Sequence, residues 1–299
     1  MHAILEVQIH SMLWLQQFHT HAIDEFFEVF SFFGGQGYSL LIPLVLWCAD
    51  YRTGLKITGI MAMTLFVNTT LKNWVQAPRP FQVDPRILSP GEQGYSFPSG
   101  HAMLVVAYWG TLGAWVQRRA FWWLACAVML LMATSRVHLG VHFPLDVTVG
   151  LLLGGITLWA FLRHQQALEA WLAAHPLAQK ISVAFALGAV LFVFNALCVP
   201  DPLHEQLNVG AAGFLAGAGA GAALGLQHLS FTGRGVWWKR ALRFVVGAVL
   251  SRGVLAGMRK LGISEGLIGD VLTALTLAVF GLWITFAMPW LFERIHLSD

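Results

Sequence analysis

The chain alternates long, mainly apolar runs with short polar stretches. A helix that crosses a membrane needs about 17–25 mainly apolar residues. Runs of that kind fall near 36–50 (a short one), 54–75, 99–117, 120–137, 143–163, 180–200, 208–228, 241–258 and 268–290. They predict an all-α, polytopic helical membrane protein. The first 33 residues break the pattern. Glu6, Asp24, Glu25 and Glu28 interleave there with Leu13, Phe18, Phe26, Phe27 and Phe30, which predicts an amphipathic helix on the membrane interface.

Composition agrees with the pattern. Hydrophobic residues make up 57% of the chain and charged residues only 11%, against roughly 25% charged in soluble domains. Mean hydropathy is +0.65. The net charge of +3 is spread through the loops, and the missing basic face argues against nucleic-acid binding. The first basic residue is Arg52, so no cleavable signal peptide is expected. Cys48, Cys126 and Cys198 are scattered and show no metal-ligand spacing.

The basic residues set an orientation. Arg52, Lys56, Arg118, Arg119, Arg163 and Lys180 fall on one side, as do Arg234, Lys239, Arg240, Arg243 and Arg294. Lys72, Arg79, Arg86, Arg136, Arg259 and Lys260 fall on the other. The first side is therefore expected to be cytoplasmic. In a bacterial cell the second faces the periplasm across the inner membrane. Three segments are expected: 1–35 as the interfacial N-terminal segment, 36–165 as a helical core with all the chemistry, and 166–299 as a four-helix extension joined through 164–180.

Three stretches carry candidate chemistry. In 72–80 (KNWVQAPRP), Lys72 ends a span and Arg79 sits in a proline-rich loop. A guanidinium forks around two phosphate oxygens, and an ammonium adds a point charge. In 97–101 (FPSGH), Ser99 caps the next helix, Gly100 admits a ligand close to the backbone, and the free N–H groups suit an anion, with His101 at its edge. In 135–146 (SRVHLGVHFPLD), Arg136 adds a third cation and Asp146 follows His142 by four residues. That spacing lets the carboxylate accept a hydrogen bond from one imidazole nitrogen and leaves the other free to attack phosphorus. His138 with His142 is a weaker pairing for a metal, since Gly140 and the helix break separate them.

Two further features stand outside these motifs. Gly213, Gly217, Gly221 and Gly225 share one helix face, suited to packing against a helix of the same chain or to a homodimer. Arg252 lies inside an apolar run, with Asp270 expected as its partner.

Taken in order and spacing, K-x6-RP, PSGH and SR-x5-H-x3-D resemble the three-part signature of the type 2 phosphatidic acid phosphatase superfamily. The resemblance covers roughly 36–165. The four later spans look similar to a longer branch that includes sphingosine-phosphate phosphatases. It implies a lipid phosphate phosphatase that uses no metal or other cofactor and passes through a phosphohistidine. His142 would be the nucleophile, Asp146 its orienting partner and His101 the proton donor. Lys72, Arg79, Ser99, Gly100 and Arg136 would hold the phosphate. His101 would have to be protonated for one step and neutral for the next, so a rate optimum at mildly acidic to neutral pH is expected. A membrane lipid phosphate is the expected partner, with the outer bilayer surface as its level. A lipid phosphotransferase and a non-catalytic, transporter-like lipid-binding protein are the competing readings.

Overall fold

The computed structural model describes residues 2–199, 205–259 and 266–298, and among them every regular element is helical. In chain order these are α1 (His2–Leu15), a 3-10 turn (Gln16–Phe18), α2 (His21–Phe33), α3 (Tyr38–Cys48), α4 (Tyr51–Val75) and the short α5 (Pro80–Val83). Then come α6 (Gly100–Val116), α7 (Arg119–His138), α8 (Pro144–Ala174), α9 (Leu177–Cys198) and α10 (Glu205–His228). The chain ends with α11 (Trp237–Arg259), α12 (Leu267–Leu282), a π-helical turn (Trp283–Ala287) and α13 (Met288–Arg294). Lys260, one of the basic residues used for orientation, lies outside the described residues.

Helix ends follow local chemistry. Thr20 caps α2 by accepting the Ile23 amide at 3.3 Å. Gln117 adopts the left-handed conformation that stops α6. Pro144 opens α8, where its missing N–H costs no helical bond.

Among the described residues, seven stretches are long and apolar enough to span a membrane, and α2 with α3, bent by 50°, makes up to an eighth as a broken pair. The run expected at 36–50 is thus one arm of a bent pair. Its helix has 11 residues, which at about 1.5 Å per residue covers only half of a hydrocarbon core of ~30 Å. The run at 99–117 appears as α6, with 17 residues at the lower limit for a crossing.

The compact units do not follow a division at 35 and 165. One comprises Met1–Tyr38 with Val67–Ala160, the other Ser39–Phe66 with Phe161–Asp299. In the first, Val105, Val106 and Met132 form a core joined by Phe30 of α2 and Leu158 of α8. Two glycines bring α8 onto α6. A Cβ at Gly150 would lie 2.7 Å from the Ser99 carbonyl oxygen, and one at Gly154 2.8 Å from that of Met103. The N-terminal segment also belongs to this unit. Gln16 donates to the carbonyls of Leu88 (2.7 Å) and His138 (3.1 Å), and Ile9 and Met12 pack with Ile87 and Phe143.

In the second unit the glycine face of α10 is filled within the chain. Gly213 and Gly217 lie against the backbone of Ala274 and Ala278 on α12, and Gly221 against Thr285. The same-chain packing is the one observed, so this face is not open to a second copy. Pro289 has no N–H, which leaves the Thr285 carbonyl four residues earlier without a helical donor. The Tyr51 hydroxyl donates to it at 2.5 Å, and the Trp47 indole to Ile284 O at 3.1 Å. The ion pairs of the described residues do not include Arg252 with Asp270; Arg252 is exposed on α11.

Candidate active site

The three sequence motifs converge in the first unit. Lys72, in the last turn of α4, donates to the Tyr95 carbonyl. Arg79 is buried before α5, where its backbone N–H donates to Gln82 Oε1 at 2.8 Å. Its guanidinium donates to the carbonyls of Gly94 (3.0 Å), Gln93 (3.0 Å) and Val141 (2.8 Å). The fork is thus rigidly held between the loop before α6 and the loop before α8. Arg136, on the last turn of α7, donates to Ser31 Oγ at 2.5 Å and pairs with Glu92.

Glu92 also approaches Arg79, at 3.5 Å. A carboxylate therefore lies between two buried guanidiniums, where an anion is best stabilised. It is one-third exposed, so it can leave. Glu92→Gln should tighten binding of inorganic phosphate by about fivefold, a modest factor because the carboxylate is partly solvated. Equilibrium titration of phosphate binding at fixed ionic strength checks this, and unchanged or weaker binding counts against a competing carboxylate.

His142 sits in the loop between α7 and α8 with its ring buried. Its Nε2 faces Arg79 Nη1 at 3.2 Å. A guanidinium can only donate, so Nε2 is the acceptor and the ring proton resides on Nδ1. Asp146 was expected to accept that proton directly. The observed Nδ1–Oδ2 distance is 3.6 Å, too long for a hydrogen bond. Asp146 Oδ2 instead accepts the Phe143 amide at 2.9 Å and the Ser96 hydroxyl. Ser96 Oγ in turn lies 3.5 Å from His142 Nδ1. Burial pushes the His142 imidazole well below its ordinary range, and the nearby Lys72, Arg79 and Arg136 cations push it the same way. The ring is accordingly a free base at neutral pH.

Ser99 occupies the N-cap position of α6 but its side chain makes no cap bond, and its amide donates to the Asp146 carbonyl at 3.0 Å. Its buried hydroxyl has no protein partner, and neither does Arg136 Nε. Buried donors left without an acceptor suit an oxygen-rich ligand. Gly100 is needed because a Cβ would come within 2.8 Å of Asn68 Oδ1, while Asn68 Nδ2 donates to the Pro98 carbonyl at 3.1 Å. His101 lies against the turn after α2. A Cβ at Gly35 would sit 2.7 Å from its Nε2.

His138 does not pair with His142. Its Nε2 meets Asp24 Oδ1 at 2.8 Å and its ring stacks on His19 at 4.2 Å, with Asp24 Oδ2 3.0 Å from His19 Nδ1. One carboxylate thus ties α2 to the third motif. Sequence reasoning missed Glu92, Ser96, Ser31, Gly35 and Asn68. Only Asn68 had a usable signal, its place one helical turn before Lys72.

The chain matches the PAP2 superfamily over residues 53–170 and the PAP2 superfamily phosphatase transmembrane extension over residues 209–299. Lipid phosphate phosphatase delta of Arabidopsis thaliana is 26% identical over 64% of this chain and 49% of its own length. YbjG of Escherichia coli (strain K12) is 31% identical over 44% of this chain and 72% of its own. The crystal structure of a transmembrane PAP2 type phosphatidylglycerolphosphate phosphatase from Bacillus subtilis superposes with a TM-score of 0.50 at 19% identity, covering 56% of this chain and 88% of that one. The chain spans about half the length of two of the curated relatives it matches, 49% and 54%.

Proposed function

Since the chain belongs to the PAP2 superfamily, we propose that it hydrolyses a phosphomonoester or diphosphate on a membrane lipid, without a metal and through a phosphohistidine. The observation that carries this reading is a neutral, buried His142 whose unprotonated Nε2 is held by the Arg79 guanidinium, beside two further cations, so that a phosphate drawn to Arg79 arrives at that nitrogen.

His142 Nε2 attacks phosphorus in line with the departing oxygen, and the P–O bond to the lipid breaks. With the negative phosphate bound beside it, His101 is held protonated and gives that oxygen its proton. Water then attacks the phosphohistidine, His101 takes its proton, and inorganic phosphate leaves. Negative charge grows on the three phosphoryl oxygens in both steps, and Lys72, Arg79 and Arg136 stabilise it with the Ser99 hydroxyl and the amides at the start of α6. Asp146 acts on His142 through Ser96, steadying the Nδ1 proton. The lipid presents its phosphate at the outer surface of a bacterial inner membrane, on the side opposite the basic loops.

Phosphate release over a panel of lipid phosphates, with excess chelator, tests the proposal. Loss of activity on chelation would refute the metal-free route. A phosphorylated lipid acceptor in place of free phosphate would mark a phosphotransferase.

The depressed His142 pKa has a signed consequence. The ring must be neutral to attack, so the acid limb of kcat/KM should fall below the ordinary histidine value of about 6.5. Arg79→Gln removes one of the depressing cations, so it should move that limb to higher pH while lowering the plateau. The same shift acts on folding. The unfolded chain takes up the proton first, so stability from this group is present above about 6.5 and declines as the pH drops below it. A limb that stays in place or moves to lower pH in Arg79→Gln is the contrary result.

A further inference from the structure

The second unit contains a cavity of about 670 Å³, within the roughly 300–1,000 Å³ common for ligand sites. Its walls come from α4, α8, α9 and α10, and from Thr285 of the π-helical turn. The charged lining comes from near helix ends. Arg52 and Lys56 begin α4, Glu169 is near the end of α8, Lys180 is in the first turn of α9, and Gln227 is in the last turn of α10. The rest of the wall is mainly apolar, including Phe161, Leu168, Leu187, Leu215 and Leu226, with Thr58 and Gln165 as polar exceptions.

Charge and shape select a class of occupant. Lys56 is neutralised by Glu169, with Nζ 2.6 Å from Oε1. Arg52 and Lys180 take part in no ion pair among the described residues. Two uncompensated cations therefore border an apolar wall. A π-helical turn breaks the regular helix at the same place, a distortion often found at functional sites. Water alone would solvate the cations and leave the leucines wet. An acyl chain alone would cover the leucines and leave the cations unpaired. An amphiphile with an anionic head satisfies both. All three cations fall on the side that the charge bias makes cytoplasmic, where anionic phospholipid is available and basic pockets between helices capture such headgroups.

We infer that this cavity is a binding site for an anionic phospholipid of the cytoplasmic leaflet. The phosphate lies at Arg52 and Lys180, and one acyl chain runs along Leu187 and Leu215. The site is separate from the phosphate site of the first unit and needs no turnover.

Native mass spectrometry of the delipidated full chain tests this, with phosphatidylglycerol compared with phosphatidylcholine of the same acyl chains. Phosphatidylglycerol carries a phosphodiester and so is not a phosphomonoester substrate. One tightly held phosphatidylglycerol is expected, at least tenfold tighter than phosphatidylcholine. The double variant Arg52→Gln/Lys180→Gln should lose that preference. Leu215→Trp, which fills the cavity and touches no charge, should lose the bound lipid altogether. Equal binding of the two lipids, or full phosphatidylglycerol binding in Leu215→Trp, overturns the assignment. The two variants alter different properties of the cavity, so misfolding of one leaves the other as the test.

Discussion

His142→Ala lowers phosphate release by about 10⁴-fold or more, as removal of a nucleophile does in other covalent mechanisms. The substitution deletes the one lone pair held against Arg79 Nη1, at 3.2 Å. The cations and the start of α6 stay, so phosphate still binds. The expected pattern is a collapsed kcat with inhibition by inorganic phosphate retained. Brief exposure to a labelled lipid phosphate followed by acid-free denaturation should trap a phosphoenzyme in the parent chain and none in the variant. Near-full turnover by His142→Ala would remove this side chain from the chemistry. Labelled phosphoprotein in the variant would move the covalent step to another residue.

Arg136→Ala lowers kcat/KM by roughly 10²–10³-fold, the usual cost of one preorganised donor to a developing oxyanion. Arg136→Lys should recover less than a tenth of the loss, because an ammonium cannot reach Ser31 Oγ and a phosphoryl oxygen in the same planar fork. The expected effect on stability has the opposite sign. Lys72, Arg79 and Arg136 are all buried and repel one another, with Glu92 as a shared counter-charge. Removing one cation relieves that repulsion, so the melting temperature in detergent should hold or rise while activity falls. A large drop in melting temperature alongside lost activity would instead give Arg136 a structural role.

Much of the fold was legible because apolar run length carries it. The four later helices appear in the order and positions that hydropathy implies. The convergence of Lys72, Arg79, Ser99, His101, Arg136 and His142 was readable from three spaced motifs. What escaped depended on tertiary reach. The expected His142–Asp146 bond follows ideal helix spacing, but His142 lies before the first turn of α8, so the ring stands away and Ser96 fills the gap. Glu92 and Ser31 sit 44 and 105 residues from Arg136, and nothing in their neighbourhoods marks them. The role of the first segment at the site was not legible either: Asp24 pairs with His19 and His138, Ser31 accepts from Arg136, and Gly35 lies against His101.

The Trp47 indole and the Tyr51 hydroxyl find their acceptors 237 and 234 residues later in the chain. During synthesis α3 and the start of α4 enter the bilayer long before Ile284 and Thr285 exist. Those two donors lack their final acceptors until the last helices arrive. A premature stop codon after Leu282 would therefore damage the beginning of the protein, not only its end. Fragments cut at the boundary of the phosphate-site motifs would share that defect.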